Sequence, residues 1–235
     1  MSNQGLRPIG ADAVINTAPA CPLCLSCQTR LYHSEQRPKV LMRDFWRCDQ
    51  CALVFVPAAF HLDAVAEKAV YDQHQNQPDD PGYRKFLGRV FEPLRQRLAP
   101  EAEGLDFGCG PGPTLALMFA EAGFQCANYD LYYCHQPECL SRPYDFIVST
   151  EVVEHLCAPG QVLAQLIGLL KPGGWLGLMT KRLTTDAAFA NWHYTLDPTH
   201  ISFFADNSFR WLAARYQLQL EFCGPDVVLL QKPAG

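Results

Sequence analysis

Four cysteines near the start of the chain have the spacing of a structural metal site. They form two Cys-x-x-Cys pairs, Cys21 with Cys24 and Cys48 with Cys51. This arrangement is typical of a zinc ribbon, in which four thiolates surround one Zn²⁺ tetrahedrally. A small module with few large apolar side chains also needs such a metal to fold. Cys27 is a surplus or competing ligand, and the alternative is that these thiols are redox-active or merely buried.

A glycine-rich turn lies near the middle of the chain. The segment Leu105-Asp-Phe-Gly-Cys-Gly-Pro-Gly112 places three glycines between a predicted strand and a predicted helix. Glycine lets the backbone bend sharply and approach a ligand, and the N-terminus of the next helix favours polar or anionic groups. A dinucleotide-binding turn would need Gly-x-Gly-x-x-Gly, and residue 113 is proline, so the spacing does not fit that class.

An acidic residue follows at the end of the next predicted strand. The carboxylate of Asp130 can accept hydrogen bonds from both hydroxyls of a ribose, as such acids do in nucleotide-binding α/β folds. Together with the glycine-rich turn it predicts a site for a nucleoside without a 2′-phosphate. The alternative is a tight strand-to-helix turn followed by a surface aspartate.

Candidate catalytic groups follow a later, buried strand. We expect Glu151 and His155, four residues apart, to share one face at the start of a helix, so that a carboxylate can orient an imidazole. Glu154 is a second candidate acid or base. The alternative is a set of polar residues at a helix N-terminus with no role in chemistry.

A second histidine-bearing segment, Trp192-His-Tyr-Thr-Leu-Asp-Pro-Thr-His200-Ile-Ser-Phe-Phe204, interleaves polar and aromatic side chains. This composition indicates the wall of a pocket, and it makes His200 a candidate pocket residue and general base. The alternative is a capped turn, because Asp197-Pro-Thr is favourable turn chemistry.

Alternating strand and helix patterns must position these residues. Beyond about Asp63, apolar residues recur at helical spacing between short apolar runs, including one helix that we expect to be kinked or interrupted at Pro93. Two closing strands are joined by only four residues, which requires an antiparallel hairpin. The pattern predicts an α/β fold with a largely parallel sheet covered on both faces.

The motifs together resemble the class I S-adenosylmethionine-dependent methyltransferases over residues 71–235. The resemblance lies in the glycine-rich turn, in Asp130, in Tyr144-Asp-Phe-Ile-Val-Ser-Thr-Glu-Val-Val-Glu-His-Leu156 and in Leu170-Lys-Pro-Gly-Gly-Trp-Leu176. It implies a Rossmann-like, seven-stranded, mostly parallel sheet that ends in the hairpin, and transfer of a methyl group to an O, N or C atom. The segment before Phe204 is similar to the substrate-side loop of a bacterial small-molecule methyltransferase subgroup.

The resemblance also implies residue roles. Gly108, Gly110 and Gly112 would face the methionine part of S-adenosylmethionine, and Asp130 would bind its ribose. The cofactor's amino group would be held by Asp106 together with Thr150 or Glu151. No aspartate occurs between residues 131 and 143, so the third strand and the adenine-contacting acid of that family have no counterpart in sequence, and Leu131 and Tyr132 are apolar candidates for adenine contact.

The resulting domain prediction has three parts. Residues 1–62 form a zinc-ribbon-like module, residues 63–100 a linker and N-terminal helical lid, and residues 101–235 the methyltransferase domain. Within the lid segment, Tyr71, His74, Tyr83 and Arg84 either fold over the cofactor or are ordinary surface residues.

Composition narrows the remaining choices. The 235 residues are 49% hydrophobic and 18% charged, with a net charge of −5, which indicates a soluble globular protein and no basic surplus for nucleic acid. No signal peptide or membrane span is evident, so we expect a cytoplasmic enzyme with a small-molecule acceptor. The alternatives are an RNA methyltransferase that docks RNA through the ribbon, and a non-catalytic interaction module.

Overall fold

The computed structural model of the protein describes residues 18–37, 42–73 and 77–235. Its strands within those ranges, in chain order, are β1 (Thr29–Ser34), β2 (Asp44–Cys48), β3 (Val54–Phe55), β4 (Glu103–Phe107), β5 (Gln125–Tyr129), β6 (Tyr144–Thr150), β7 (Leu170–Met179), β8 (Ser202–Phe203), β9 (Gln219–Cys223) and β10 (Val227–Gln231). The α-helices are α1 (Ala64–Tyr71), α2 (Pro81–Arg95), α3 (Thr114–Glu121), α4 (Pro159–Leu169), α5 (Asp186–Phe189) and α6 (Asp206–Tyr216).

The larger sheet has the strand order β5-β4-β6-β7-β10-β9. The first four strands are parallel, whereas β10 is antiparallel to both β7 and β9. The short connection between β9 and β10 leaves no room for a crossover, which is why the last pair forms a hairpin. The predicted α/β fold with a mostly parallel sheet and a closing antiparallel hairpin is therefore confirmed.

The predicted sheet of seven strands contains six within the described part of the chain. β5 is its edge, and the segment after Asp130 forms a turn and a 3-10 helix at Pro137–Ser141 instead of a third parallel strand. Pro137 and Pro143 lack backbone N–H groups, so this segment is poorly suited to extend the ladder beyond β5.

Helices cover both faces of this sheet, as predicted for parallel strands. On one face, α2 and α3 pack their apolar sides against the sheet around Phe146. On the other face lie α4 and α6. The expected interruption of α2 at Pro93 is absent, because this proline lies in the last turn and the helix ends two residues later. Across the described ranges, no helix combines the length and the apolar character needed to span a membrane.

The smaller sheet has the order β1-β2-β3-β8, and its fourth strand comes from the far end of the chain. Val54 pairs with Phe203 in antiparallel register. Phe45, Phe189 and Phe203 meet edge to face, with ring centroids 5.1 to 5.7 Å apart. The N-terminal module and the segment that carries His200 thus share one sheet and one apolar cluster.

Candidate active site

A cleft with a volume of about 990 Å³ opens at the carboxyl ends of the parallel strands. Ligands of open α/β sheets bind at this edge, because the loops that follow parallel strands converge there. The cleft is lined by ten of the residues singled out from sequence: Asp106, Gly108, Gly110, Gly112, Asp130, Leu131, Thr150, Glu151, His155 and His200.

The glycine-rich turn has the backbone geometry that its composition predicts. Gly108 and Gly110 have φ angles of +81° and +63°, a region that L-side chains rarely adopt. The N–H of Gly108 donates to Tyr129 O at 2.7 Å, and a Cβ at position 108 would lie 2.3 Å from Cγ2 of Val152. The turn is therefore fixed between the end of β5 and the segment that follows β6.

Asp130 holds two turns together. Its Oδ2 accepts from Gly110 N at 3.0 Å, and its Oδ1 accepts from the N–H groups of Tyr132 and Tyr133 at 2.8 and 3.0 Å. A carboxylate has about four acceptor positions, so three backbone donors occupy most of them. Leu131, between Asp130 and Tyr132 in the chain, is 61% exposed and lines the cleft.

Asp106, at the end of β4, is a buried carboxylate with one oxygen that has no partner among the described residues. It is 2% exposed, and its Oδ1 has no hydrogen bond among the described residues. Burial, and then the charge of Asp130, raise its pKa to about 7. Since a buried unpaired carboxylate is costly, the geometry favours a cationic ligand group at this point of the cleft.

The chain turns sharply after Thr150. Glu151 has a φ of +51°, unusual for a residue other than glycine, and donates its N–H to Met179 O at 2.8 Å. Burial, and then the nearby Glu154, raise the pKa of Glu151 to about 8. Strain of this kind is often kept at functional sites, and here it turns a carboxyl toward the cleft.

The prediction of a helix start at Glu151 is wrong. Val153–His155 is a single 3-10 turn, and α4 begins only at Pro159. The left-handed backbone at Glu151 cannot belong to a right-handed helix, and proline favours the first helical position. Glu151 and His155 therefore both reach the cleft through an irregular loop and not through helical spacing.

The two candidate histidines lie side by side. Nδ1 of His155 is 3.1 Å from Thr199 O, and Nδ1 of His200 is 2.8 Å from Tyr194 O. A carbonyl only accepts, so Nδ1 carries the proton in each ring. The ring centroids are 4.7 Å apart. Burial, and then the neighbouring His155, lower the pKa of His200 to about 4, which keeps this imidazole neutral at pH 7.

Glu154 lies behind the cleft wall and does not line it. Its side chain is fully buried, and Oε1 accepts a hydrogen bond from the hydroxyl of Tyr194. Oε2 has no partner in the part of the chain described here. Burial raises the pKa of this carboxyl to about 7. Tyr194 lines the cleft, so Glu154 is connected to the cleft by its hydrogen bond to this tyrosine. Glu154 also lies close to the two histidines.

Helix α1, in the predicted lid segment, contributes Ala64, Glu67 and Tyr71 to the lining of the cleft. Tyr132 and Tyr71 both donate to the carboxylate of Glu67, at 2.5 and 3.1 Å. The ring of Tyr71 also meets His155 edge-on at 5.2 Å. Tyr83 lines the cleft. Of the other predicted lid residues, Arg84 pairs with a glutamate on α3, and His74 lies outside the described residues.

Arg43 does not line the cleft but supports the loop before His200, a role that was not predicted from sequence. Its guanidinium is buried and donates to the backbone carbonyls of Thr195, Asp197 and Pro198 at 2.8 to 3.1 Å. Burial lowers its pKa to about 10, so it remains charged. An isolated arginine in a polar N-terminal module gives no sequence signal of this role, because its partners are more than 150 residues away.

The four cysteines of the N-terminal module come together. Sγ of Cys21 lies 3.5 Å from that of Cys51, and Sγ of Cys24 lies 3.4 Å from that of Cys48. All four sulfurs lie within 4.8 Å of one another. Tetrahedral zinc with Zn–S bonds of about 2.3 Å requires sulfur separations of roughly 3.8 Å, so the set fits this ion. Cys27 is exposed and outside the group.

The fold and the cleft define a class I S-adenosylmethionine-dependent methyltransferase. A family model described as a methyltransferase domain matches residues 82–221, and the chain belongs to this family. The enzyme class predicted from sequence is confirmed, and the alternative of a non-catalytic module is set aside. No curated protein matches the sequence.

Solved structures share this fold at low sequence identity. The chain is similar to a 1,6-didemethyltoxoflavin-N1-methyltransferase from Burkholderia thailandensis, with a TM-score of 0.51, 16% identity and coverage of 77% of this chain and 96% of that one. It is also similar to a magnesium protoporphyrin IX methyltransferase from Synechocystis, with a TM-score of 0.50, 15% identity and coverage of 73% and 94%. Both were solved with bound S-adenosylhomocysteine.

In a third similar structure, the match covers a smaller share of the other protein. An O-methyltransferase family protein from Burkholderia thailandensis is 16% identical, with a TM-score of 0.48 over 76% of this chain. The chain spans 63% of that protein's length.

Proposed function

We propose that the protein methylates an O, N or C atom of a small-molecule acceptor that binds between the glycine-rich turn and the two histidines. The observation that carries this proposal is the single cleft that joins the unpartnered carboxylate of Asp106 to the imidazoles of His155 and His200. One end suits a cationic cofactor group, and the other end presents polar groups to an acceptor.

The cofactor end of the cleft has the groups that S-adenosylmethionine requires. Asp106 would pair with its ammonium group, Thr150 and Glu151 would flank that group, the turn from Gly108 to Gly112 would follow the methionine chain, and Asp130 would bind the ribose. The bound cofactor supplies an electrophilic methyl on a positively charged sulfur. The protein aligns the acceptor with this methyl and excludes water from the site.

The size of the cleft supports a small acceptor. Its volume of about 990 Å³ is at the upper end of the range usual for ligand pockets, which suits a cofactor with a compact second molecule. The similar Burkholderia enzyme was solved with bound 1,6-didemethyltoxoflavin and S-adenosylhomocysteine. The polar wall of His155 and His200, with Glu154 behind it, is where an acceptor would lose its proton.

We also propose that Cys21, Cys24, Cys48 and Cys51 hold one structural Zn²⁺. The sulfur separations support it, and so does the enclosure of three of the four thiols. In this arrangement the described part of residues 1–62 forms the ribbon, the segment 63–100 supplies α1 beside the cleft and α2 against the sheet, and residues 101–235 bind the cofactor. Cys48→Ser is expected to lose one zinc equivalent by elemental analysis and to melt at a lower temperature, whereas the exposed Cys27→Ser keeps both properties.

The acceptor class is tested with S-adenosylmethionine labelled in its methyl group. The wild-type protein is incubated with a fractionated metabolite extract and, separately, with total RNA. The proposal expects label in a small-molecule fraction, and at least a tenfold loss of this label in His200→Ala. Label in RNA instead, with binding that weakens steeply as salt rises, would establish the RNA alternative and overturn the proposal.

A further inference from the structure

We propose that Glu154, His155 and His200 form a second metal site, for a divalent transition-metal ion, in the wall of the cleft. One possible ligand atom from each of these three side chains lies within 4.8 Å of the other two. Two imidazoles and one carboxylate are the donor set of several zinc and iron sites that keep positions open for a substrate.

The two imidazoles are oriented as metal ligands usually are. A ligating histidine commonly donates its other ring N–H to a carboxylate or a backbone carbonyl, which fixes the ring and its tautomer. Here Nδ1 of His155 and Nδ1 of His200 are directed at Thr199 O and Tyr194 O. Both carbonyls belong to the loop that Arg43 holds in place, so the support for the rings is itself rigid.

The carboxylate provides an independent observation. Glu154 is fully buried, and while Oε1 accepts from the hydroxyl of Tyr194, Oε2 has no partner among the described residues. An unsatisfied buried carboxylate oxygen is costly, and this cost disappears when a cation binds beside it. Glu154 therefore brings a carboxylate with one uncompensated oxygen to the histidine cluster, where a metal ion needs a negatively charged ligand.

The surroundings favour a cation. The carboxyl groups of Glu151 and Asp197 also line this part of the cleft, and Oδ2 of Asp197 is 3.8 Å from Nε2 of His200. Lys181 is the basic side chain other than histidine in the cleft lining, and its ammonium contacts His193. The buried guanidinium of Arg43 is a second cation near His200, and it is bound to backbone carbonyls of the loop. The three carboxyl groups of Glu151, Glu154 and Asp197 outnumber these two cations.

A cation at this place would change how an acceptor is activated. A hydroxyl group bound to a divalent ion has a lowered pKa and can release its proton to water. The acceptor oxygen then bonds to the methyl carbon as the methyl–sulfur bond breaks, and the electron pair stays on the sulfur of S-adenosylhomocysteine. This role rests on the proposed function, whereas binding of the ion does not.

The test counts metal in the full-length protein. After loading with Zn²⁺ and removal of excess metal, elemental analysis is expected to give two equivalents for wild type, one for His200→Ala and one for Glu154→Gln, which preserves side-chain volume. His193→Ala, a cleft histidine outside the cluster, is the matched control and should retain two. Co²⁺ loading separates the sites, because only the cysteine site shows thiolate charge-transfer absorption.

The possible results decide the matter. One equivalent in wild type, held by the cysteines alone, would overturn the second site, and so would two equivalents retained in both His200→Ala and Glu154→Gln. Binding of S-adenosylhomocysteine by each variant shows that it is folded. If two equivalents bind and no small molecule is methylated, the proposed acceptor class fails while the metal site stands.

Discussion

The carboxylate of Asp130 accepts a hydrogen bond from the backbone N–H of Gly110, with 3.0 Å between Oδ2 and N. The same side chain holds the N–H groups of Tyr132 and Tyr133 through its other oxygen. One carboxylate thereby joins the glycine-rich turn to the turn that carries Leu131. The residue predicted to bind the ribose is also the residue that shapes the site before any ligand enters.

Substitution of Asp130 is therefore expected to affect both binding and folding. Asp130→Ala should weaken binding of S-adenosylhomocysteine and lower the free energy of unfolding, each by roughly 1 to 3 kcal/mol, because three backbone donors lose their acceptor. Asp130→Asn keeps one acceptor oxygen and should lie between alanine and wild type. Calorimetric titration and urea unfolding measure the two effects, and an unchanged dissociation constant in Asp130→Ala would remove the residue from the cofactor site.

The pH dependence of cofactor binding should report on Asp106. Its pKa is about 7 in the free protein, so the carboxyl is neutral below this pH and ionised above it. An ammonium group binds the ionised form better, so ionisation of Asp106 should raise the affinity for S-adenosylhomocysteine between pH 5.5 and about pH 7.5, and ionisation of Glu151 should raise it further near pH 8. Asp106→Asn should bind more weakly and lose the earlier of these two rises. Titrations at several pH values test this, and equal pH profiles for both proteins would contradict it.

Ionisation of Asp106 should also affect folding stability, but in the opposite direction, because stability should fall as the pH rises. The raised pKa means that the folded free protein binds a proton more tightly than the unfolded chain. The contribution of Asp106 to stability is therefore present below pH 4 and is lost as the pH rises from about 4 to about 7. Asp106→Asn should remove this part of the pH dependence in urea unfolding of the ligand-free protein.

Arg43 should control the acceptor side of the cleft from the N-terminal module. Arg43→Ala removes three charge-assisted hydrogen bonds to the loop before His200, and we expect a loss of about 2 to 4 kcal/mol in stability and at least a tenfold loss in kcat. Arg43→Lys should recover only part of each, since an ammonium lacks the planar fork of donors. Arg30→Ala, at an exposed ion pair, is the control. A dissociation constant for S-adenosylhomocysteine within about twofold of wild type in Arg43→Ala would show that the effect is confined to the acceptor side.

Alanine variants at two glycines with similar backbone angles should separate the cost of backbone strain from the cost of a steric contact. Gly108 and Gly123 have φ angles of +81° and +90°, but only a Cβ at 108 would meet another side chain, Val152. Gly123→Ala should cost about 1 to 2 kcal/mol of stability through strain alone, and Gly108→Ala roughly 1 to 3 kcal/mol more. Adding Val152→Ala to Gly108→Ala should recover the part of the stability loss that comes from the contact with Val152. Equal losses in the two single variants would show that the turn relaxes away from Val152.

The features predicted correctly from sequence are those recorded in local spacing. Each of these features is contained in a short stretch of sequence. They are the glycines of the turn, the apolar periodicity of the helices, the short hairpin link and the two Cys-x-x-Cys pairs. They were sufficient to predict the α/β fold and many of the residues that the structure brings together in the cleft.

The features that were missed depend on contacts between distant parts of the chain. The left-handed backbone of Glu151 is fixed by its hydrogen bond to Met179 and not by its own preference. Arg43 has its partners more than 150 residues away. β8 contains only two residues and becomes a strand because β3 lies beside it. A short stretch of sequence does not contain both residues of any of these contacts.

Because β3 pairs with β8, the N-terminal segment cannot be exchanged between proteins as an independent unit. A chain started at residue 63 would leave Phe203 without its strand partner and Phe189 without the ring of Phe45. It would also remove the guanidinium that holds the loop before His200. To graft this segment onto a related enzyme, an engineer would also have to transfer the strand at residues 202–203, because the N-terminal module and the loop before His200 form one structural unit.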